Sequence, residues 1–116
     1  MNLNLKMLEQ AANLAANAKT ERNFLLGSIA LRQDGTLVYS INSTISVHPV
    51  PSAHAEARVL RKSGIGATLW VARVLKDKET WAMAKPCANC QSLITNRRIK
   101  KVIYTIGPKE YGIWFP

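Results

Sequence analysis

The chain has 116 residues, of which 47% are hydrophobic and 20% charged, and its formal net charge is +9. This length predicts a single domain over residues 1–116 that buries one modest core with help from a metal or a partner subunit. No apolar run approaches the ~20 residues that cross a bilayer, and the first residues are amphipathic and polar, so we expect a cytoplasmic protein without a membrane role. The two cysteines lie three residues apart, which excludes a disulfide framework and suits metal binding or redox chemistry.

The first half of the chain predicts a helix followed by a hairpin. Apolar residues recur at helical spacing over residues 3–19, with strong helix formers between them. Residues 24–32 and 37–41 are rich in β-formers and flank an Asp34-Gly35 turn, so we expect two antiparallel strands. The loop that follows contains Pro49 and Pro51, which lack amide protons and do not fit a regular element.

The second half predicts two strand and helix alternations. The elements expected there are a helix over 53–62, strands over 68–75 and 81–84, a helix over 87–96 and a strand over 101–106. The stretch 68–84 is compatible with a hairpin or with one long strand that carries an insertion. This order of elements predicts a three-layer α/β/α fold, in which a central mixed sheet of five strands is flanked by helices.

Two short fragments carry most of the chemistry-bearing residues. They read Ala53-His54-Ala55-Glu56-Ala57 and Lys85-Pro86-Cys87-Ala88-Asn89-Cys90. Together they contain H-x-E followed by P-C-x-x-C. One histidine and two cysteines supply three zinc ligands, and a site with three protein ligands leaves one coordination position for water. An open position of this kind is typical of a catalytic zinc rather than a structural one.

The spacing of these residues restricts where they lie on their helices. Cys87 and Cys90 fall on the same face of a helix start, where the positive end of the helix dipole favours thiolate over thiol. His54 and Glu56 would point to opposite sides of a helix interior, so we place both in the first turn. Two helix starts of this kind meet over one edge of the sheet, where open α/β sheets bind ligands. Zinc would then be held by His54, Cys87 and Cys90, with Glu56 off the metal.

Both fragments, together with Ile99-Lys100-Lys101-Val102-Ile103-Tyr104, resemble the cytidine and deoxycytidylate deaminase superfamily, which includes tRNA adenosine deaminases. The resemblance covers roughly residues 24–106. It implies a cytidine-deaminase-like domain that binds Zn²⁺ through His54, Cys87 and Cys90 and uses Glu56 as the proton shuttle of a hydrolytic deamination. The resemblance also implies a homo-oligomer.

Two positions are candidates for substrate contacts. In the family an asparagine after the second strand contacts the base or the sugar, and Asn42 is the matching residue here, although a loop-capping role is an equal alternative. The backbone amide near Ala55 lies at a helix start, where it can support charge that develops during the reaction.

The charge is concentrated in one part of the chain. Residues 57–101 contain eleven basic and two acidic side chains, a net charge of +9, and the remainder sums to zero. Such a segment favours a partner that bears phosphates, either a cytosine-containing nucleotide such as deoxycytidylate or a single-stranded nucleic acid. A merely solvated basic surface is the alternative.

Several other interpretations stay open at this point. The chain could deaminate adenosine in RNA, or it could be a non-catalytic zinc module that binds nucleic acid, although Glu56 would have no use in such a module. The cysteines could form a redox pair, and His48 could act as a fourth zinc ligand that closes the site. The apolar tail, residues 111–116, could cap the pocket, stack on a base or pack on a neighbouring subunit.

Overall fold

The structure is a computed structural model that describes residues 2–17, 24–41, 55–75, 77, 79–86 and 88–116. Every element that the sequence predicts is present within these residues, and one strand is added at the end of the chain. The elements in chain order are α1 (Leu3–Ala16), β1 (Phe24–Leu31), β2 (Leu37–Ile41), α2 (Ala55–Ser63), β3 (Thr68–Leu75), β4 (Trp81–Ala82), α3 (Ala88–Asn96), β5 (Lys101–Gly107) and β6 (Glu110–Trp114).

The strands in the described part of the chain form one mixed sheet of six strands. Five of them follow the order β2-β1-β3-β5-β6, and β4 pairs with β3 off this path. β3 and β5 are parallel, whereas the other pairings are antiparallel. Val74 of β3 pairs with Trp81 of β4, so the stretch 68–84 is a hairpin rather than one long strand. The predicted α/β class and mixed sheet are confirmed.

The core has two parts, one on each face of the sheet. On the first face α1 packs through Leu8 against Ile29 and Trp70, and the Trp70 indole Nε1 donates to Asn4 Oδ1 over 3.0 Å. On the second face α2 and α3 pack through Val59 and Ile94. β3 is covered on both faces, which explains its nearly continuous apolar sequence.

The three described helices are short, and the first of them begins at a side-chain cap. The side chain of Asn2 caps α1 by accepting from the amides of Asn4 and Leu5 at 2.8 and 3.4 Å. α2 and α3 are nine residues long, which corresponds to about 13 Å each at ~1.5 Å per residue. Among the described helices, none has both the length and the apolar character required to cross a membrane.

The tail forms a strand that the sequence analysis did not predict. β6 runs antiparallel to β5, with Val102 opposite Trp114, and the two are joined by a turn in which Lys109 has a φ of 61°. Trp114 packs against the core, and it lines a groove of about 480 Å³ beside α3. Phe115 beyond the strand is 70% exposed. Most of the tail therefore completes the sheet edge.

α1 approaches the sheet most closely at Gly27 of β1. A Cβ atom built on Gly27 would lie 2.1 Å from the carbonyl oxygen of Ala11, which is backbone of α1 and cannot move aside like a flexible side chain. Glycine at this position therefore sets the distance between α1 and the sheet.

We expect Gly27→Ala to lower the free energy of unfolding by at least the ~1–3 kcal/mol typical of overpacking, because α1 must be displaced. Ser28→Ala is the matched control. Ser28 is fully buried on the other face, and within the described residues its hydroxyl has no hydrogen-bond partner, so the change should be nearly neutral. Urea denaturation of both variants measures the difference; equal midpoints would contradict the close-approach argument.

Candidate functional site

The parallel pair β3 and β5 brings two helix starts to the same end of the sheet. α2 leads into β3 and α3 leads into β5, and Thr68 at the start of β3 pairs with Lys101 at the start of β5. The amide of Gly66 donates to Arg97 O at 3.1 Å, which links the two connections. α2 and α3 also contact each other. Their last turns therefore lie at the amino end of the strand pair and their first turns at its carboxyl end.

Three of the predicted site residues, Ala55, Glu56 and Cys90, belong to these first turns. Glu56 is the second residue of α2, and Cys90 lies in the first turn of α3, where it is fully buried. The structure thus places the backbone of the predicted proton shuttle and one predicted zinc ligand on neighbouring helix starts. The unsatisfied amides and the dipole of a helix start both favour negative charge nearby.

The other predicted site residues lie outside the described residues. His54 directly precedes α2 and Cys87 directly precedes α3, while Asn42 directly follows β2. Ala55 is the first residue of α2, and only the backbone of Ala55 and Glu56 is described. His48, the alternative fourth ligand, also lies outside the described residues.

The donor chemistry fits a zinc ion at this end of the sheet. The Cys90 sulfur is a preferred zinc ligand, and its complete burial at a helix start keeps it from water. Within the described residues no group of three His, Cys, Asp or Glu side chains comes together. This is consistent with the sequence assignment, because two of its three ligands, His54 and Cys87, fall outside them.

The segment that leads to Cys87 is held from both sides. The side-chain amide of Gln91, one turn into α3, donates to Pro86 O at 2.8 Å. Pro86 is buried, and Ala84 is 4% exposed within the same core as α2 and α3. The amide of Ala84 donates to Thr105 O at 2.9 Å. These bonds fix the chain just before the predicted zinc ligand.

Thr105 of β5 anchors this segment to the sheet. Its side-chain oxygen accepts from the Arg73 amide at 3.1 Å, and its hydroxyl donates to Ala82 O at 2.7 Å. Thr105 is fully buried, and both bonds are partly buried. One side chain thus joins β3, β4 and β5 where the parallel strands separate. The sequence analysis missed this role, because a threonine in a β-rich run has no distinctive signal.

Arg73 is a second residue that the sequence analysis did not single out. It lies opposite Leu26, which packs with α2 and α3, so Arg73 is on the same face and near the carboxyl end of β3. Its guanidinium is partly buried and donates from Nη1 to Met83 O over 3.5 Å. A lone charged residue within the apolar β3 sequence was the available signal.

The turn between β3 and β4 is organised by Asp77. Its carboxylate accepts from the amides of Glu79 and Thr80, both at 2.8 Å, and from the Thr80 hydroxyl. The Thr80 hydroxyl, followed by these amides, lowers the pKa of Asp77. Because the pKa of Asp77 is lower in the folded state, the ionised carboxylate stabilises the turn at pH values above the ordinary Asp pKa. This stabilisation is lost as the pH falls through the pKa of the folded state.

Comparisons with known proteins agree with this arrangement. The family model described as "Cytidine and deoxycytidylate deaminase zinc-binding region" matches residues 1–106, and a zinc-binding region implies Zn²⁺ as the cofactor. No protein with a curated description matches the sequence.

Three cytidine deaminases are among the solved structures that share the fold. Cytidine deaminase from Mycobacterium leprae is 20% identical with a TM-score of 0.60, and the match covers 97% of this chain and 94% of that one. The cytidine deaminase from Burkholderia pseudomallei is 15% identical with a TM-score of 0.64 over 99% and 93% of the two chains. The cytidine deaminase from Mycobacterium tuberculosis is 16% identical with a TM-score of 0.55 over 92% and 90%.

We expect Thr105→Val to reduce stability by about 1–3 kcal/mol, because it removes the hydroxyl that bonds the part-buried Arg73 amide and Ala82 carbonyl. Zinc affinity should fall as well, since the chain before Cys87 loses the side-chain bond to Ala82 O and keeps only the backbone bond from Ala84 to Thr105 on this side. Thermal denaturation and competition with a zinc chelator measure the two effects. Thr105→Ser keeps the hydroxyl and should retain most of the stability and most of the zinc affinity. If the Val variant bound zinc like the wild type, Thr105 would have no part in supporting the site.

Proposed function

Because the chain belongs to the cytidine and deoxycytidylate deaminase family, a family of zinc-dependent deaminases, we propose that it converts cytosine to uracil by hydrolysis. The observation that carries this proposal is the placement of Glu56 and the buried Cys90 in the first turns of two packed helices at the carboxyl end of β3 and β5. Catalytic residues of open α/β sheets collect at this end.

His54, Cys87 and Cys90 are the residues that would hold the zinc. When bound, Zn²⁺ lowers the pKa of water and so supplies a nucleophile at neutral pH. The protein's own contribution is the two helix starts, which favour thiolate ligands and offer free amides toward developing negative charge. Among these amides, that of Ala55 is proposed to contact the substrate where negative charge develops. Asn42 is proposed to contact the base or the sugar.

Glu56 is the proposed carrier of protons. Its carboxylate accepts a proton from the attacking water and delivers it to the ring nitrogen N3 of cytosine, which makes C4 open to attack. After the C4–O bond forms, the carboxylate takes the remaining proton from the new C4 hydroxyl and passes it to the exocyclic amino group, which leaves as ammonia when the C4–N bond breaks. Water and cytosine are thereby converted to uracil and ammonia.

The proposed substrate is a single cytosine nucleoside or nucleotide. The structural neighbours named cytidine deaminases match this chain over 97% and 99% of its length, which supports a substrate of the size of a nucleoside. Arg73 and the exposed Lys85 lie near the carboxyl end, where we place the substrate phosphate. These residues favour a monophosphate such as deoxycytidylate over the uncharged nucleoside.

The wider organisation is proposed on the same basis. The family model matches residues 1–106, and of the described elements only the last residue of β5 and the strand β6 lie beyond this range. We therefore propose that residues 1–116 form one cytidine-deaminase-like domain. The proposed location of this domain is the cytoplasm. A homo-oligomer is the proposed assembly. Ile113 and Phe115, which are 42% and 70% exposed at the β6 edge, are available for contact with a second copy.

We expect Glu56→Gln to lose roughly 10²–10⁴ in kcat while it keeps stoichiometric zinc, because the amide cannot carry the proton. Metal analysis and a spectrophotometric deamination assay measure both properties. Glu79→Gln removes an exposed carboxylate in the β3–β4 turn and serves as the control with unchanged activity. Undiminished turnover by Glu56→Gln would refute its assigned role.

A substrate panel tests the rest of the proposal. Deoxycytidylate should be the best substrate, followed by cytidine, and Arg73→Gln should lower kcat/KM for deoxycytidylate more than for cytidine. Turnover restricted to oligonucleotides, or release of ammonia from adenosine in RNA, would overturn the substrate assignment. A protein that binds zinc but turns over none of these substrates would be the non-catalytic zinc module.

A further inference from the structure

Much of the basic charge collects at the amino end of β3 and β5, away from the zinc site. We define the basic rim as five exposed side chains that lie at the ends of α2 and α3 and in the turn after α3: Arg61, Lys62, Arg97, Arg98 and Lys100. Backbone hydrogen bonds bring its two halves together. Gly66 N donates to Arg97 O at 3.1 Å, and Lys100 N donates to Ala67 O at 2.9 Å.

The basic rim is not neutralised by the described acidic side chains. The ion pairs among described residues are Arg32 with Asp34 at 3.5 Å and Lys109 with Glu9 at 3.8 Å, and neither involves the rim. Arg32 also donates from Nη1 to Lys62 O at 3.1 Å, which places the Arg32–Asp34 pair beside the rim. The Asp34 carboxylate is paired with Arg32 there and not with a rim residue. The Lys62 ammonium donates to Tyr39 O at 3.0 Å, but this acceptor is neutral, so the rim carries five positive charges that no described carboxylate pairs with.

The rim is too far from the zinc site to hold a small substrate there. Lys101 is level with Thr68 in the sheet, and Arg73 lies about 17 Å further along β3 at ~3.3 Å per residue. At physiological salt the Debye length is about 8 Å, so charges at this separation are largely screened from each other. The basic segment 57–101, which is continuous in sequence, is thus divided between two ends of the molecule.

Helix electrostatics explains only part of the rim. Arg61 and Lys62 occupy the last turn of α2, where cations interact favourably with the helix dipole. Arg98 and Lys100 lie beyond α3, outside that turn. Arg98 also has a φ of 53°, a left-handed conformation that usually takes glycine after a helix. An arginine there is a charge that the local backbone does not favour.

We propose that the basic rim binds the phosphate backbone of a nucleic acid, at a surface separate from the deaminase site. Clustered arginines and lysines on one face match the closely spaced charges of a polynucleotide, and contact with each phosphate releases a counterion. An anionic membrane fits less well, because it requires apolar anchors beside the charges, whereas Ile65 is the one described residue between α2 and β3 that is apolar, large and exposed. This binding does not depend on the proposed catalytic activity.

The test uses the zinc-loaded protein and a fluorescent oligodeoxythymidylate of about 20 nucleotides, which contains no cytosine and is not a substrate. Fluorescence anisotropy over about 50–200 mM salt should give a log–log slope near −3.5, since five contacts to a single strand contribute about −0.7 each. Arg97→Gln/Lys100→Gln should reduce the slope to about −2 and weaken binding roughly 25-fold at about 0.1 M salt. Both changes keep the backbone bonds that join the two halves of the rim.

The matched control is Lys6→Gln/Lys109→Gln, which changes the net charge equally at exposed positions on α1 and the β5–β6 turn. It should bind the oligomer like the wild type. Equal weakening in both double variants, or no binding by the wild type at low salt, would overturn the proposal. So would rim-dependent binding of polyglutamate or of anionic phospholipid vesicles in place of the oligomer. Oligouridylate and a DNA duplex then show which nucleic acid is preferred.

Deaminase activity separates this inference from the proposed function. The rim variant should deaminate deoxycytidylate at the wild-type rate, because none of its residues is near the zinc site. Oligomer binding without any deamination would leave the rim proposal intact and remove the catalytic one. If the protein deaminated deoxycytidylate fully and the rim variant bound the oligomer as tightly as the wild type, the catalytic proposal would stand and the rim proposal would fall.

Discussion

The short parallel pairing of β3 with β5 determines the rest of this structure. Leu69 and Val71 of β3 pair with Val102 and Tyr104 of β5, and the first three are fully buried. Since each strand is preceded by a helix of nine residues, fixing the strand register also fixes where α2 and α3 begin. A shift of one residue would turn these buried side chains to the wrong face, so the pairing resists slippage. The relative position of the two motifs follows from this register.

Part of the arrangement could be predicted because its signals are local. Helical spacing in α1, the Asp34-Gly35 turn and the β-rich run of β3 each identify an element without its neighbours. The site residues were recognised from short spacings, which require no knowledge of the sheet. The backbone of Glu56 and the buried Cys90 lie in first turns as those spacings indicated. The positions of the other ligands stay predictions.

The remaining features depend on contacts between distant segments, which no local pattern reveals. Thr105 is important because β4 separates β3 from β5 beside it, and this geometry exists only after the sheet has formed. The tail strand was missed because Gly112 weakens its β propensity. In the sheet Gly112 lies beneath the Tyr104 ring, where a Cβ would come within 2.7 Å of the ring. Tertiary packing therefore selects a residue that local propensity disfavours.

The same limitation explains why the net charge of a sequence segment does not show which surface of the molecule carries that charge. Charge counted along the sequence treats Arg73 and Arg97 as parts of one basic segment, but the fold places one near the helix starts and the other at the helix ends. A helix that precedes a parallel strand runs back along the sheet, so residues one element apart in the sequence can lie at opposite ends of the sheet. In such a fold, the position of each basic side chain along the strands decides which end of the sheet its charge lies at. By that criterion Arg73 and Lys85 lie at the end of the sheet where α2 and α3 begin, and the five residues of the basic rim lie at the opposite end.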